Sequence, residues 1–216
     1  MNTTERIQRA LKVYVIPDST AGAPRSLEEQ ARLAILGGAT MIQLRDKKMT
    51  GRELYETAKR LLSLCRPRDI PLIVNDRLDV ALASGADGVH LGAEDLPVHA
   101  AKRFVPEGFI VGATAHSVEE GIRAEAEGAD YVGVGAAFPS GTKKGAAVLG
   151  VAGIREVCSA ISLPTVAIGG ITAQNAREVL DAGVDGVSVV ASVVGQEDIQ
   201  AAASLLAKAV IRGSYE

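Results

Sequence analysis

Gly85-Ala-Asp-Gly-Val-His-Leu-Gly92 and Gly128-Ala-Asp-Tyr-Val-Gly-Val-Gly135 share one plan: Gly-Ala-Asp, then a mostly apolar run that ends on glycine. The same opening recurs as Gly183-Val-Asp185 and, loosened, as Gly37-Gly-Ala-Thr40. Its glycine suits a helix end in the left-handed conformation, and the small residues after it suit a tight turn into a strand. The copies stand roughly 43 to 55 residues apart, the length of two strand–helix units. Four quarters of one repeating object are implied.

Outward from these points, β-branched runs at 13–16, 41–44, 72–74, 88–91, 110–112, 131–134, 165–168 and 186–189 read as strands. Between them, helical apolar spacing covers 26–36, 51–65, 78–84, 97–104, 118–127, 151–159, 175–181 and 198–210. Ser26 with Glu29, and Ser117 with Glu120, read as capping boxes. The strands are near-continuously apolar, as in a parallel sheet covered on both faces. Eight alternations predict an α/β chain folded as a (β/α)8 TIM barrel, one domain over 1–216 with 1–12 as an N-terminal extension or helix. A doubly wound open sheet is the competing arrangement.

Composition removes several functions. With 23 basic and 26 acidic side chains the net charge is −3, which supplies no basic excess for nucleic acid. Aromatics are 3% of the chain, too few for base-stacking platforms. Glycine, at 23 residues or about 11%, exceeds the usual ~7%. The first twelve residues lack an apolar signal core, and no apolar run is long enough to span a membrane. Cys65 and Cys158 lie outside any CxxC or Cys/His spacing and read as core fillers in a cytoplasmic, reduced chain. Assembly into a homo-oligomer is left open.

In such barrels the chemistry sits at the C-terminal ends of the strands. There the chain offers Gln43-Leu-Arg-Asp-Lys47, Asn75-Asp76, Glu94-Asp95, Thr114-Ala-His116, the 138–145 loop and Gly169-Gly170. Strand alternation turns Gln43, Arg45 and Lys47 to one face, toward the mouth. Asp76 and Asp95 suit a hard cation such as Mg²⁺, which borrows phosphate oxygens, and Arg45, Lys47 and Lys143 suit the remaining phosphate charge. The same charges could instead form salt bridges that close the barrel end. Gly169-Gly170 reads either as a phosphate cradle at a helix start or as simple turn geometry, and the 140–144 loop either as a lid over an anion or as a solvated loop. His90, inside an apolar strand, reads as a satisfied core residue, His99 as exposed, and His116 as an acid/base candidate on position alone.

These motifs, at six strand ends in order and covering residues 14–206, resemble the thiamine-phosphate synthase family. The signature consists of Gln43-Leu-Arg45-Asp-Lys47, Val74-Asn75-Asp76, Val89-His90-Leu91-Gly92-x-x-Asp95, Thr142-Lys143 and Ile168-Gly169-Gly170-Ile171. The resemblance implies that hydroxymethylpyrimidine diphosphate is joined to hydroxyethylthiazole phosphate with release of pyrophosphate. It implies that Gln43, Leu44, Arg45, Asp46, Lys47, Asn75, Thr114 and Lys143 hold the pyrimidine diphosphate, with Arg45, Lys47 and Lys143 assisting the departing pyrophosphate. It further implies Mg²⁺ on Asp76 and Asp95, with Ser140, Gly141, Thr142, Gly170, Val190 and Ala191 around the thiazole phosphate. Ala93, Thr114, Ser140 and Ala191 depart from the family's usual Gln, Ser, Thr and Ser. The Thr114-Ala-His116-Ser segment also resembles a thiazole tautomerase of the same superfamily, which would use His116. A ligand-binding regulator without turnover and a Schiff-base aldolase using Lys47 are more distant alternatives.

Overall fold

Parallel pairing runs in sequence order from the first strand to the eighth and returns to the first, so the sheet closes on itself. The computed structural model describes residues 3–140 and 148–211. Its strands are β1 (Val13–Val15), β2 (Met41–Leu44), β3 (Leu72–Asn75), β4 (Gly88–Leu91), β5 (Ile110–Ala115), β6 (Tyr131–Gly135), β7 (Thr165–Ile168) and β8 (Gly186–Val189). The helices are α1 (Thr3–Ala10), α2 (Leu27–Leu36), α3 (Gly51–Cys65), α4 (Leu78–Ser84) and α5 (Val98–Ala101). They continue with α6 (Val118–Ala126), α7 (Gly150–Ala160), α8 (Ala176–Leu180), α9 (Ala191–Val194) and α10 (Ile199–Ile211). Pairing of β1 with β8, Tyr14 opposite Ser188, excludes the open sheet.

The quarter repeat has a hydrogen-bond reason. Gly38, Gly85, Gly128 and Gly183 all take positive φ as each helix turns back toward the sheet. Two residues beyond each of them comes a side chain that clamps the strand on its left. Thr40 Oγ1 accepts from the Val13 N–H at 2.8 Å, and Asp87 accepts from Leu72 at 2.9 Å. Asp130 accepts from Val111 at 2.7 Å, and Asp185 from Thr165 at 2.8 Å. In each case the clamping residue's own N–H donates back to the same neighbour's carbonyl. The repeated Asp or Thr thus pins the start of every odd-numbered strand and sets the register of the barrel.

Strand alternation then sorts two cores. Val13, Ile42, Leu44, Val74, Val89 and Val187 face outward, beneath the helices. Tyr14, Met41, Ile73, Ile110, Tyr131 and Val166 fill the interior, where Ile7, Ala10 and Leu11 from the α1 segment join them. Tyr131 fits only because Gly112 faces it: a Cβ there would lie 2.2 Å from the tyrosine ring. Gly112→Ala is therefore expected to cost about 1–3 kcal/mol by overpacking, read as a lowered denaturation midpoint; an unchanged midpoint would show that the ring moves freely.

Three expectations need correction. The strand expected at 110–112 runs on to Ala115, because alanine, glycine and threonine carry little strand signal of their own. The helix expected over 97–104 is a single turn, Val98–Ala101, and Phe104 is exposed. Neither expected capping box closes: Ser26 and Ser117 do accept from the N–H groups of Glu29 and Glu120, but Glu29 is taken by Arg32 and Glu120 by the His116 N–H. The reciprocal box is at Thr50 and Glu53, at the start of α3.

Candidate active site

Each polar side chain at the C-terminal mouth is placed by the strand that ends beneath it. On β2, Gln43 is 3% exposed and points into the barrel, where its Nε2 donates to the Tyr14 hydroxyl at 2.7 Å. Leu44 faces the outer core, so only its backbone reaches the mouth. Arg45 is half-buried and Lys47 exposed, and both cations lie close enough to Asp76 to act on its charge. Asp46 is engaged otherwise. Its carboxylate accepts from Ser19 Oγ and from the Lys48 and Met49 N–H groups, shaping the loop that carries the two cations.

Asp76 follows β3 in the left-handed region at φ 64, where Asp and Asn are the non-glycine residues best tolerated. Its N–H donates to the His90 carbonyl at 2.8 Å, which ties the end of β3 to β4. Asp95 is set by its own loop, with Oδ2 accepting the Gly92 N–H at 2.7 Å. The two carboxyl groups lie close enough to share a hydrogen bond when one of them is protonated. Burial, that bond and the Asp95 charge push Asp76 up to about 6, while Lys47 and Arg45 pull it back. Two acids are thus held together against their repulsion, with two cations beside them. Asn75, half-buried, is the last residue of β3 and stands opposite His90. Among the described residues no three His, Cys, Asp or Glu side chains form a metal cage.

Beneath the acids a chain of side-chain hydrogen bonds crosses the interior. Beyond the bond from Gln43, the Tyr14 and Tyr131 hydroxyls lie 3.1 Å apart. The Tyr131 hydroxyl is 2.9 Å from His90 Nδ1, and His90 Nε2 is 2.9 Å from Thr114 Oγ1. Tyr131 and His90 stack with ring centroids 5.5 Å apart. Burial pushes His90 down to about 4, against a counter-pull from Asp95, and drives both tyrosines well above the ordinary phenol range. His90 is satisfied, as its place in the sequence indicates. The tyrosines belong to none of the strand-end motifs; their signal in the sequence is a lone Tyr in each of two otherwise aliphatic strands, since a buried hydroxyl requires a partner.

On the far side of the mouth, the loops after β6 and β7 interlock. The Phe138 N–H donates to the Gly169 carbonyl at 3.0 Å, and a Cβ at Gly170 (φ +64) would meet the Pro139 carbonyl at 2.6 Å. Asn175 braces the turn, donating to the Gly170 carbonyl and accepting from the Thr172 N–H. Gly169-Gly170 does not stand at a helix start as expected; α8 begins only at Ala176. Instead, Val190 and Ala191 open the short helix α9 directly after β8, and first-turn N–H groups have no intrahelical acceptor. Ser140 is half-buried beside these loops. Gly141, Thr142 and Lys143 lie outside the described residues. His116 is exposed, with Nδ1 bonded to the Gly135 carbonyl.

A closed barrel with two acids and two cations gathered at its C-terminal mouth has the build of an enzyme for phosphorylated small molecules. The family described as thiamine monophosphate synthase matches residues 13–193. Thiamine-phosphate synthase of Coprothermobacter proteolyticus is 52% identical over 95% of this chain and 98% of its own length. That of Methanoculleus marisnigri is 51% identical over 90% of this chain and 92% of its own. The solved structure of thiamine phosphate pyrophosphorylase from Pyrococcus furiosus superposes with a TM-score of 0.88 at 45% identity, covering 95% of this chain and 98% of the other. This chain belongs to the thiamine-phosphate synthase family.

Proposed function

We propose that this chain joins hydroxymethylpyrimidine diphosphate to hydroxyethylthiazole phosphate, giving thiamine phosphate and pyrophosphate. The observation that carries the reading is the gathering of Arg45 and Lys47 near Asp76, whose carboxyl adjoins that of Asp95. Salt bridges that merely closed the barrel end would need each acid to sit against a cation; among the described residues neither forms an ion pair, and Asp76 adjoins Asp95 instead. Two such carboxylates suit Mg²⁺, which keeps waters and takes phosphate oxygens for its remaining positions. When bound, Mg²⁺ supplies charge neutralisation on the diphosphate.

In this reading Arg45 grips the diphosphate as a fork and Lys47 as a point charge, and Lys143 is a third cation for the same charge. Gln43, Asn75 and Thr114 orient the pyrimidine, while the backbones of Leu44 and Asp46 shape its edge. Ser140, Gly141, Thr142, Gly170, Val190 and Ala191 take the thiazole phosphate. The C–O bond to the diphosphate breaks, and both electrons leave with pyrophosphate. Positive charge on the pyrimidine methylene is shared with the electron-rich aminopyrimidine, and the thiazole nitrogen then forms the new C–N bond. No protein nucleophile is required, so positioning and electrostatics supply the acceleration. A cytoplasmic setting belongs to the same reading and is supported by two unpaired thiols, Cys65 and Cys158; no helix among the described residues is long and apolar enough to cross a membrane.

Turnover should require both substrates. Consumption of a thiazole phosphate tautomer alone would favour the tautomerase, for which Asp76, Asp95 and Arg45 would have no diphosphate to serve. A second test reads the cation site without turnover. Asp76 has its folded-state pKa raised, so its contribution to stability is present at low pH and is lost as pH rises from about 4 through about 6. Mg²⁺ relieves the repulsion that ionisation exposes. It should raise the melting temperature more at pH 7.5 than at pH 5; equal shifts would remove the acid pair as its site.

A further inference from the structure

The chain of bonds beneath the mouth carries a direction. Gln43 Nε2 donates to the Tyr14 hydroxyl, so the Tyr14 proton must go onward to Tyr131 at 3.1 Å. Tyr131, having accepted, donates to His90 Nδ1, which leaves the imidazole proton on Nε2 to donate to Thr114 Oγ1. Each hydroxyl has only one proton to give, so the five groups admit two polarities and change between them only together. We infer that Tyr14, Tyr131 and His90 are positioning residues: their hydrogen-bond chain locks the Gln43 carboxamide and the Thr114 hydroxyl into one donor–acceptor pattern, and so selects an amino-substituted over an oxo-substituted pyrimidine.

The chemistry at both ends supports this. With one Nε2 proton spent on Tyr14, Gln43 retains Oε1 and a second N–H, the complement of a ring nitrogen beside an exocyclic amine. Thr114, having accepted from His90, retains its own proton to donate. With the heterocycle oriented by its diphosphate, replacement of amine by oxo exchanges donor for acceptor. To accommodate it, Gln43 would have to flip and all four bonds beneath it reverse. A site built around such bonds rejects a mismatched partner far more strongly than an apolar pocket does. The interior is also shaped for the chain: Gly112 leaves room for Tyr131, and a Cβ at Gly133 would stand 3.2 Å from the His90 ring. The acids do not enter the inference, and the Tyr131 hydroxyl bonds to Tyr14 and His90 rather than to Gln43 itself.

The inference rests on the synthase reading for its ligand, but its first test does not. Nitrogen-15 NMR of the His90 ring, assigned by loss of its signal in His90→Gln, should show in the free protein a neutral imidazole protonated on Nε2 with Nδ1 bare. Protonation on Nδ1, or an imidazolium at neutral pH, overturns the inference even if the enzyme makes thiamine phosphate. The second test compares kcat/KM for the amino substrate and its oxo analogue in wild type and Tyr131→Phe. The substitution keeps the ring and removes only the relay, so the carboxamide is freed from a distance. Discrimination should fall by about tenfold or more, with KM for the thiazole phosphate unchanged; unchanged discrimination overturns the inference. Should Tyr131→Phe fail to fold, the wild-type ring proton still decides.

Discussion

Asp95→Asn should lower the rate of thiamine phosphate formation by about 100-fold or more while the protein stays folded. The replacement is nearly isosteric, and its Oδ1 can still accept the Gly92 N–H that Asp95 now accepts at 2.7 Å. The loop after β4 therefore keeps its shape, and the melting temperature should move by less than about 2 °C. What disappears is one of the two carboxylate charges that the proposed function assigns to the cation and diphosphate site. Asp76 should also titrate lower once the hydrogen bond and charge of Asp95 no longer push it up, although burial remains. Activity as a function of Mg²⁺ concentration is the informative readout, because a weakened cation site is partly restored at high Mg²⁺. Collapse of the fold together with activity would instead assign the acids to closing the barrel.

Arg45→Gln should reduce kcat/KM for the pyrimidine diphosphate by about 10²–10³-fold and leave KM for the thiazole phosphate unchanged. Its guanidinium stands just past the end of β2, close enough to act on the Asp76 charge, where a fork of donors can meet two phosphate oxygens at once. Lysine presents a single compact charge, so Arg45→Lys should recover only part of the loss. Loss of Arg45 also removes a charge that holds Asp76 down, so the acidic limb of the pH–rate profile should move to higher pH. Equal losses for both substrates, or full activity in Arg45→Lys, would place this side chain outside the diphosphate site.

Much of this is written locally in the chain. The Gly-x-Asp repeat marks the quarters because its aspartates do a local task, clamping Leu72, Val111 and Thr165 at the strand starts. Arg45, Lys47, Asp76 and Asp95 are legible because barrel topology sends strand ends to one place. The short helix α9 is not legible, since four residues of Ala, Ser and Val carry no periodicity. Nor is the relay: Tyr14 and Tyr131 are 117 residues apart, and only closure of the barrel brings their hydroxyls together. Aromatics are only 3% of the chain, yet two of its four tyrosines lie in the barrel interior, bonded to each other and to Gln43 and His90 beneath the mouth. Asp46 shows the opposite limit, because nothing in its spacing tells a loop-shaping carboxylate from one that faces a ligand.

The most direct test supplies both substrates to the wild-type protein, titrates Mg²⁺, and counts thiamine phosphate and pyrophosphate in the same samples. The synthase reading predicts one pyrophosphate for each thiamine phosphate, with both products abolished by EDTA and restored by Mg²⁺. Product formed at an undiminished rate in EDTA would contradict it.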